Sequence, residues 1–395
     1  MTILVYLLLL CFGYLAVTVG YLLLSAVAGW LRRKADDQPL SATPDRWRRI
    51  AVLIPAYKED AVILESVRAN RRQQYPASAY DLYVIADSFR PDTIRALAQL
   101  PVQVLEVRFE HSTVQKSLQY ALDHLPVEQY DIVVVADADN HLAPDFLARI
   151  NAAFGQGWRA VQGHRVAKNT NTSVAILDAM NEEVNNHLFR QGQRALGLSA
   201  SLIGSGMAFE PAAMKAAMRH IRSVGGYDKE LEMNLMLAGF RIAYLKQAYV
   251  YDEKVQNLEV FERQRTRWVA AQVQFVRHYF GAGMRALMRG NWHAANGLLK
   301  NLLFPRTLLL AVLVAGTGLA LLSGSGPWLA GMATLLGGLL LVLFGSIPAY
   351  LWRLVSVREL LMFPRLLLRM VRSLFRLNTA RKKFIHTPHG TVEKP

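Results

Sequence analysis

The stretch Asp131-Ile132-Val133-Val134-Val135-Ala136-Asp137-Ala138-Asp139-Asn140 decides the fold. Its run of branched apolar residues, Ile132 to Val135, is too short for a helix and reads as a strand buried on both faces of a parallel sheet. The run breaks at once into two carboxylates, Asp137 and Asp139, one residue apart. In open α/β sheets ligands sit beyond the carboxyl ends of the strands, where this pair falls. Two carboxylates there can hold a hard divalent cation, which in turn can hold a diphosphate. A plainer reading has equal standing on this stretch alone: one Asp caps the helix expected near Pro144, and the other is solvated.

Upstream, the same grammar repeats. Ile50 to Ile54 reads as a buried strand, followed by the loop Pro55-Ala56-Tyr57-Lys58-Glu59-Asp60 and a helix over 61–72. Tyr80 to Ser88 is a second strand, again ending in an acid, Asp87. A helix over 93–100, a strand over 102–107 and a helix over 118–125 complete the alternation, which means βαβ units and a mostly parallel, Rossmann-like sheet. Neither a G-x-G-x-x-G nor a G-K-[ST] loop occurs, which argues against a dinucleotide dehydrogenase and a P-loop NTPase.

Downstream the pattern loosens. Ala160 to Val166 reads as a strand, and 173–191 as a long polar helix whose ordinary interpretation is a solvated surface. Gly204-Ser205-Gly206 makes a turn between apolar flanks. A helix follows from Asp228 to Leu237, stopped by Gly239, and then a strand over 241–245. Near the end of this region Gln264, Arg267 and Trp268 fall within about one helical turn, so an amide, a guanidinium and an indole can face one site. Arg suits a diphosphate and Trp a sugar ring.

Ile3–Trp30 and Thr307–Trp352 carry no charged residue. A spanning helix needs about 20 apolar residues, so these runs predict three transmembrane helices, the second run folding at Ser323 to Pro327. Lys and Arg flank the expected inner ends (Arg32, Arg33, Lys34, Lys300, Arg306, Arg353, Arg358), which predicts an outer N-terminus, residues 31–306 inside and an inner tail. The net charge of +15 then belongs beside anionic lipid, and no nucleic-acid recognition motif accompanies it. Asn291–Arg306 and the Arg-rich tail read as interfacial amphipathic helices, with His386 and His389 in a polar terminus. Cys11 is the lone cysteine, which excludes an intramolecular disulfide. The expected layout is a membrane helix at 1–30, a linker at 31–48, a catalytic domain at 49–259, a basic interfacial segment at 260–306, a membrane hairpin at 307–352 and a basic tail at 353–395.

Asp87, Asp137-Ala138-Asp139 and Gln264-Arg265-Thr266-Arg267-Trp268, with the adjoining spans, resemble the membrane-bound members of glycosyltransferase family 2, the processive-type group of cellulose, chitin and hyaluronan synthases. The resemblance implies a GT-A fold in an integral protein of the cell membrane with its catalytic domain cytoplasmic. It also implies inverting transfer from a nucleotide sugar, a UDP-sugar by preference, with Mg2+ or Mn2+. Tyr57, Glu59 and Asp87 would hold the nucleoside with Lys116 near the base, Asp137 and Asp139 the metal and diphosphate, Gly204 to Gly206 the acceptor path, and Gln264, Arg267 and Trp268 the diphosphate and acceptor sugar. Where the family has Glu-Asp, its Asp being the base, this chain reads Lys229-Glu230. Glu230 is the expected base and Glu232 the runner-up. The acceptor is a growing polysaccharide or, alternatively, a membrane lipid, with a homo-oligomer or export partner completing a polymer path. A degenerate scaffold subunit is the remaining alternative.

Overall fold

The computed structural model describes residues 2–32, 36–37, 40, 44–222, 225–362, 364 and 369. Eight strands form one mixed sheet: β1 (Ile50–Tyr57), β2 (Tyr80–Asp87), β3 (Gln103–Val107), β4 (Ile132–Val135), β5 (His141–Leu142), β6 (Ala160–Ala167), β7 (Met207–Phe209) and β8 (Ala243–Asp252), in the order β3-β2-β1-β4-β7-β6-β8-β5. β3, β2, β1 and β4 are mutually parallel, as the alternation predicts. β6 and β8 form a second parallel pair, and the three-residue β7 joins the two units by running antiparallel to both β4 and β6.

The decisive strand is buried throughout. Val133 and Val135 point into one apolar layer with Leu53, Ile85 and Phe209, while Ile132 and Val134 point into the other with Val52, Ile54 and Val84. Burying each such side chain contributes roughly 1.5–3 kcal/mol, so this strand is fixed in register from both faces. Most upstream helices start close to expectation. The one expected at 118 begins at Val114, because the Thr113 side chain accepts from Lys116 N and caps it.

The polar helix expected on the surface is instead interior. It runs as Ser173–Asn185, continues as a π-helical turn over Asn186–Gly192 and ends as Gln193–Ala195. Glu182, Glu183, Asn186 and Arg190 are all buried. Burial is tolerable because each carries a partner: Glu182 meets Arg165 at 2.9 Å and Glu183 meets His164 at 3.1 Å. Arg165, Lys254 and Arg190 hold Glu182 down at about 2, against burial that alone would raise it.

This segment also clasps the first long helix, Thr2–Leu31, through that helix's backbone. His187 Nε2 donates to Ala26 O at 3.0 Å, Gln191 Nε2 to Gly29 O at 2.6 Å, and Gln193 Nε2 to Ser25 Oγ at 2.9 Å. Gly192 makes the approach possible, since a Cβ there would run into the Ser25 carbonyl. Two helices are long and apolar enough to cross a membrane, within Val5–Leu31 and Gly326–Gly345. A third span arises if Trp292–Leu302 and Arg306–Leu322, bent by 51°, count as one. Two tyrosines tie Trp292–Leu302 to the first helix, Tyr14 donating to Leu302 O at 2.7 Å and Tyr21 to Asn296 Oδ1 at 2.8 Å. Most of the basic tail, including His386 and His389, lies outside the described residues.

Replacing Gly192 by Ala is expected to cost on the order of 1–3 kcal/mol by overpacking this backbone contact. It should read as a lowered melting temperature in detergent, and an unchanged melting temperature would show that the first helix is not held there.

Candidate active site

β1 and β2 end in register, Tyr57 opposite Asp87, so both side chains sit at the carboxyl edge of the sheet. The residues immediately after them, Lys58 and Ser88, have positive φ of 55° and 59°. Non-glycine residues held there are strained, a state that surrounding structure maintains and that concentrates at functional sites. Lys58 N donates to Asp87 O at 3.1 Å and Ser88 N to Val107 O at 3.2 Å, which pins the two turns. Asp87 is fully buried. Its Oδ1 accepts from Ser88 Oγ at 2.9 Å, whereas Oδ2 has no hydrogen-bond partner among the described residues. Such an orphan acceptor at a sheet edge suits an N–H donor on a ligand. Glu59 is buried beside it, while Lys116 is exposed and donates to His111 O at 2.7 Å.

Past β4, Asp137 and Asp139 meet a third carboxylate that sequence reading missed. Asp252, the last residue of β8, joins them, and one oxygen from each of the three lies within 4.8 Å of the others. Asn140 braces the cluster: its Oδ1 accepts from Asp137 N, and its Nδ2 donates to Asp139 Oδ1 at 3.3 Å and Asp252 Oδ1 at 3.2 Å. Glu253 N donates to Asp139 Oδ2 at 2.9 Å. Lys254 reaches Asp252 at 2.7 Å, and Arg165 stands 3.7 Å away. Three crowded carboxylates repel, and an all-oxygen set at this spacing fits a hard divalent cation such as Mg2+ or Mn2+. The missed strand end was legible in principle, since Tyr249-Val250-Tyr251-Asp252 repeats the apolar-run-into-Asp pattern of β2.

The Gly204–Gly206 turn abuts this edge. Both glycines have positive φ, 91° and 61°, and a Cβ on Gly206 would strike Val250. Gly206 N donates to Val135 O at 2.8 Å and Tyr227 OH to Gly204 O at 2.6 Å. Tyr227 opens the helix Tyr227–Leu237, whose preceding glycines pack on the helix Leu258–Met288 at Arg267 and Ala271. Gln264, Arg267 and Trp268 lie on that one helix, within about one turn of each other, and are half-buried. The intervening Arg265 turns elsewhere, pairing with Asp178 and stacking on Trp268 at 4.1 Å.

The acidic residues of the Tyr227–Leu237 helix divide by direction. Glu230 is buried, accepting from Arg222 N at 2.9 Å and from Tyr279 OH at 3.3 Å. Arg222 and Tyr279 also line a separate cavity of about 460 Å3 with Asn234, Phe240 and His278. Glu232 is tied to Lys300 and accepts from Leu202 N at 3.0 Å. Asp228, in the first turn, instead shares its field with Arg267 and Arg165. Burial raises its pKa above the ordinary aspartate value, with Lys229 opposing, and burial lowers that of Arg267, with Asp228 opposing. The Gly225-Gly226-Tyr227-Asp228 turn was the signal available in the sequence.

A curled, mostly parallel sheet with carboxylates at its carboxyl edge is the arrangement of a GT-A fold. A family model described as "Glycosyltransferase like family 2" matches residues 48–271, and the chain belongs to that family. It is 25% identical over 279 residues to the beta-monoglucosyldiacylglycerol synthase of Trichormus variabilis (strain ATCC 29413 / PCC 7937), covering 67% of this chain and 58% of that one. It is 24% identical to the probable glucomannan 4-beta-mannosyltransferase 1 of Arabidopsis thaliana, over 60% of this chain and 45% of the relative. The chain thus spans about half the length of these relatives. Among solved structures, the Pyrobaculum calidifontis mannosyltransferase PcManGT in complex with GDP-Man and Mn2+ superposes with a TM-score of 0.50 at 19% identity, over 84% of this chain and 97% of that one. Residues 48–271 of this chain are therefore a glycosyltransferase family 2 domain.

If Asp252 is a metal ligand, Asp252→Asn should weaken Mn2+ binding by about tenfold or more, comparably to Asp139→Asn, in calorimetric titration of the purified chain. Wild-type affinity in the Asp252 variant would remove it from the ligand set.

Proposed function

We propose that this chain moves a sugar with inversion from a nucleotide-sugar donor, a UDP-sugar by preference, to an acceptor held at the cytoplasmic face of the membrane. The observation that carries this reading is the convergence of three strand-end carboxylates with Arg267 and the Gly204 and Tyr227 turns at one edge of the sheet.

Asp87, with its unpartnered Oδ2, accepts an N–H of the nucleobase, and Tyr57 and Glu59 close the nucleoside side, with Lys116 at its rim. Asp137, Asp139 and Asp252 hold Mg2+ or Mn2+, which when bound supplies charge neutralisation to the departing diphosphate. Arg267 adds a guanidinium to the same developing charge, and half-buried placement makes that interaction stronger than it would be in water. Trp268 and Gln264 form the acceptor-sugar side.

The base is Asp228 rather than Glu230. A general base must reach the acceptor hydroxyl, and the Glu230 carboxyl accepts from Arg222 N and Tyr279 OH, residues of the separate cavity. Asp228 lies on the Arg267 side and has a raised pKa, which suits a group that must take a proton near neutrality. As it removes that proton, the acceptor oxygen bonds to the anomeric carbon while the bond to the nucleoside diphosphate breaks on the opposite face. The configuration therefore inverts.

A single-addition lipid acceptor is favoured by the relative named for a glucosylated diacylglycerol, which is matched over two thirds of this chain. A polysaccharide acceptor is the second reading, motivated by the glucomannan relative. Membranes containing the protein, incubated with a panel of UDP- and GDP-sugars, discriminate by product mass. One added hexose on lipid supports the first reading, a ladder of lengths supports the second, and no transfer from any donor refutes both.

Asp228→Asn should lower kcat by about 10²–10⁴-fold. Because the carboxylate must be unprotonated to act, the wild-type rate should rise with pH through a pKa above the ordinary aspartate range, and that limb should vanish in the variant. Glu230→Gln should mainly lower the melting temperature. The opposite pattern would restore Glu230 as the base.

A further inference from the structure

Arg306 begins the apolar helix Arg306–Leu322, yet its guanidinium turns into the junction with the catalytic domain. Its Nη2 donates to Asn181 Oδ1 at 3.0 Å and to Asn185 Oδ1 at 2.6 Å, and the guanidinium lies 5.7 Å from the Phe189 ring. Its Nη1 is buried without a hydrogen-bond partner. Among the described residues no carboxylate lies within ion-pair distance of it, although Glu182 acts on it from further off. Glu182 is taken by Arg165 at 2.9 Å, Lys254 at 3.6 Å and Arg190 at 3.7 Å, and Asp178 by Arg265. Beyond the described residues the sequence holds a single carboxylate side chain, Glu393. The junction thus gathers Arg165, Arg190, Lys254, Arg265 and Arg306 against Asp178, Glu182 and Asp252, and Asp252 is shared with the candidate metal set. A buried cation with no anion in direct contact is costly, and that cost falls when a ligand brings the anion.

We propose that the junction of Asn181, Asn185 and Arg306 is a binding site for the phosphate group of a membrane lipid. A guanidinium with one edge held and a free nitrogen presents the geometry that suits a phosphate. The ligand is amphiphilic because the surroundings are: the helix that Arg306 opens is apolar beyond it and exposes Val312 and Val314, where an acyl chain can lie. The donor diphosphate is served elsewhere, since Arg165 and Lys254 are the cations that stand at Asp252. The site is independent of which acceptor the enzyme uses.

The test uses the detergent-solubilised full chain with dioleoyl phosphatidic acid, the matching diacylglycerol, inorganic phosphate and UDP, followed by native mass spectrometry and melting temperature. One phosphatidic acid should bind and raise the melting temperature, diacylglycerol should not, and Arg306→Gln should weaken binding at least tenfold. Asn185→Asp keeps Arg306 but supplies the missing counter-ion. It should fold with an equal or higher melting temperature and lose lipid binding at least tenfold. Equal binding of diacylglycerol, or undiminished binding in Asn185→Asp, overturns the proposal. Inorganic phosphate binding as tightly as the lipid assigns the site to free phosphate, and displacement of the lipid by UDP assigns it to the donor. Either result also overturns the proposal.

Discussion

Three carboxylates at one sheet edge repel one another, and much of the surrounding structure answers that repulsion. Asn140 bridges two of them and accepts from Asp137 N, Glu253 N caps Asp139, and Lys254 and Arg165 lean on Asp252. Those two cations in turn require Glu182, which explains a carboxylate deep inside a helix that otherwise reads as solvated. Glu182 then draws in Arg190. The interior charges form one chain of mutual compensation from the sheet edge to the membrane junction, and cutting it at any buried member would strand the next one without a partner.

The first half of the fold was legible because its inner strands, β1, β2 and β4, are largely apolar on both faces and end in punctuation. β1, β2, β3 and β4 appear close to where period and composition place them, which puts Asp87, Asp137 and Asp139 at or just past strand ends. The second half was less so, for a physical reason. Ser173–Asn185 is rich in Glu and Asn, residues that sequence logic sends to the surface, and only three-dimensional pairing with His164 and Arg165 makes their burial affordable. β8 was read as ending at Leu245, because Lys246 and Gln247 interrupt the apolar run. The strand in fact continues past an irregularity opposite Gly163 and His164 and delivers Asp252 to the site.

The same distinction explains the acidic helix. Asp228, Glu230 and Glu232 are alternate residues, and a helix sends alternate residues in directions about 200° apart. Spacing alone therefore could not say which one faces Arg267. The turn before the helix decides it, because Tyr227 is fastened to Gly204 and the two preceding glycines lie against Arg267 and Ala271.

The clasp between the π-helical turn and the first helix grips mainly carbonyl oxygens, those of Ala26 and Gly29. Such a grip reads position along the helix rather than side-chain identity. Where this helix spans a membrane, as the proposed function has it, its apolar residues are free to vary with the surrounding lipid while the sheet edge keeps a constant height above the bilayer. Under the proposed function the protein works as a depth gauge: it acts on hydroxyls that a membrane presents at one level, and a chemically suitable acceptor lying deeper or standing further out would go unmodified.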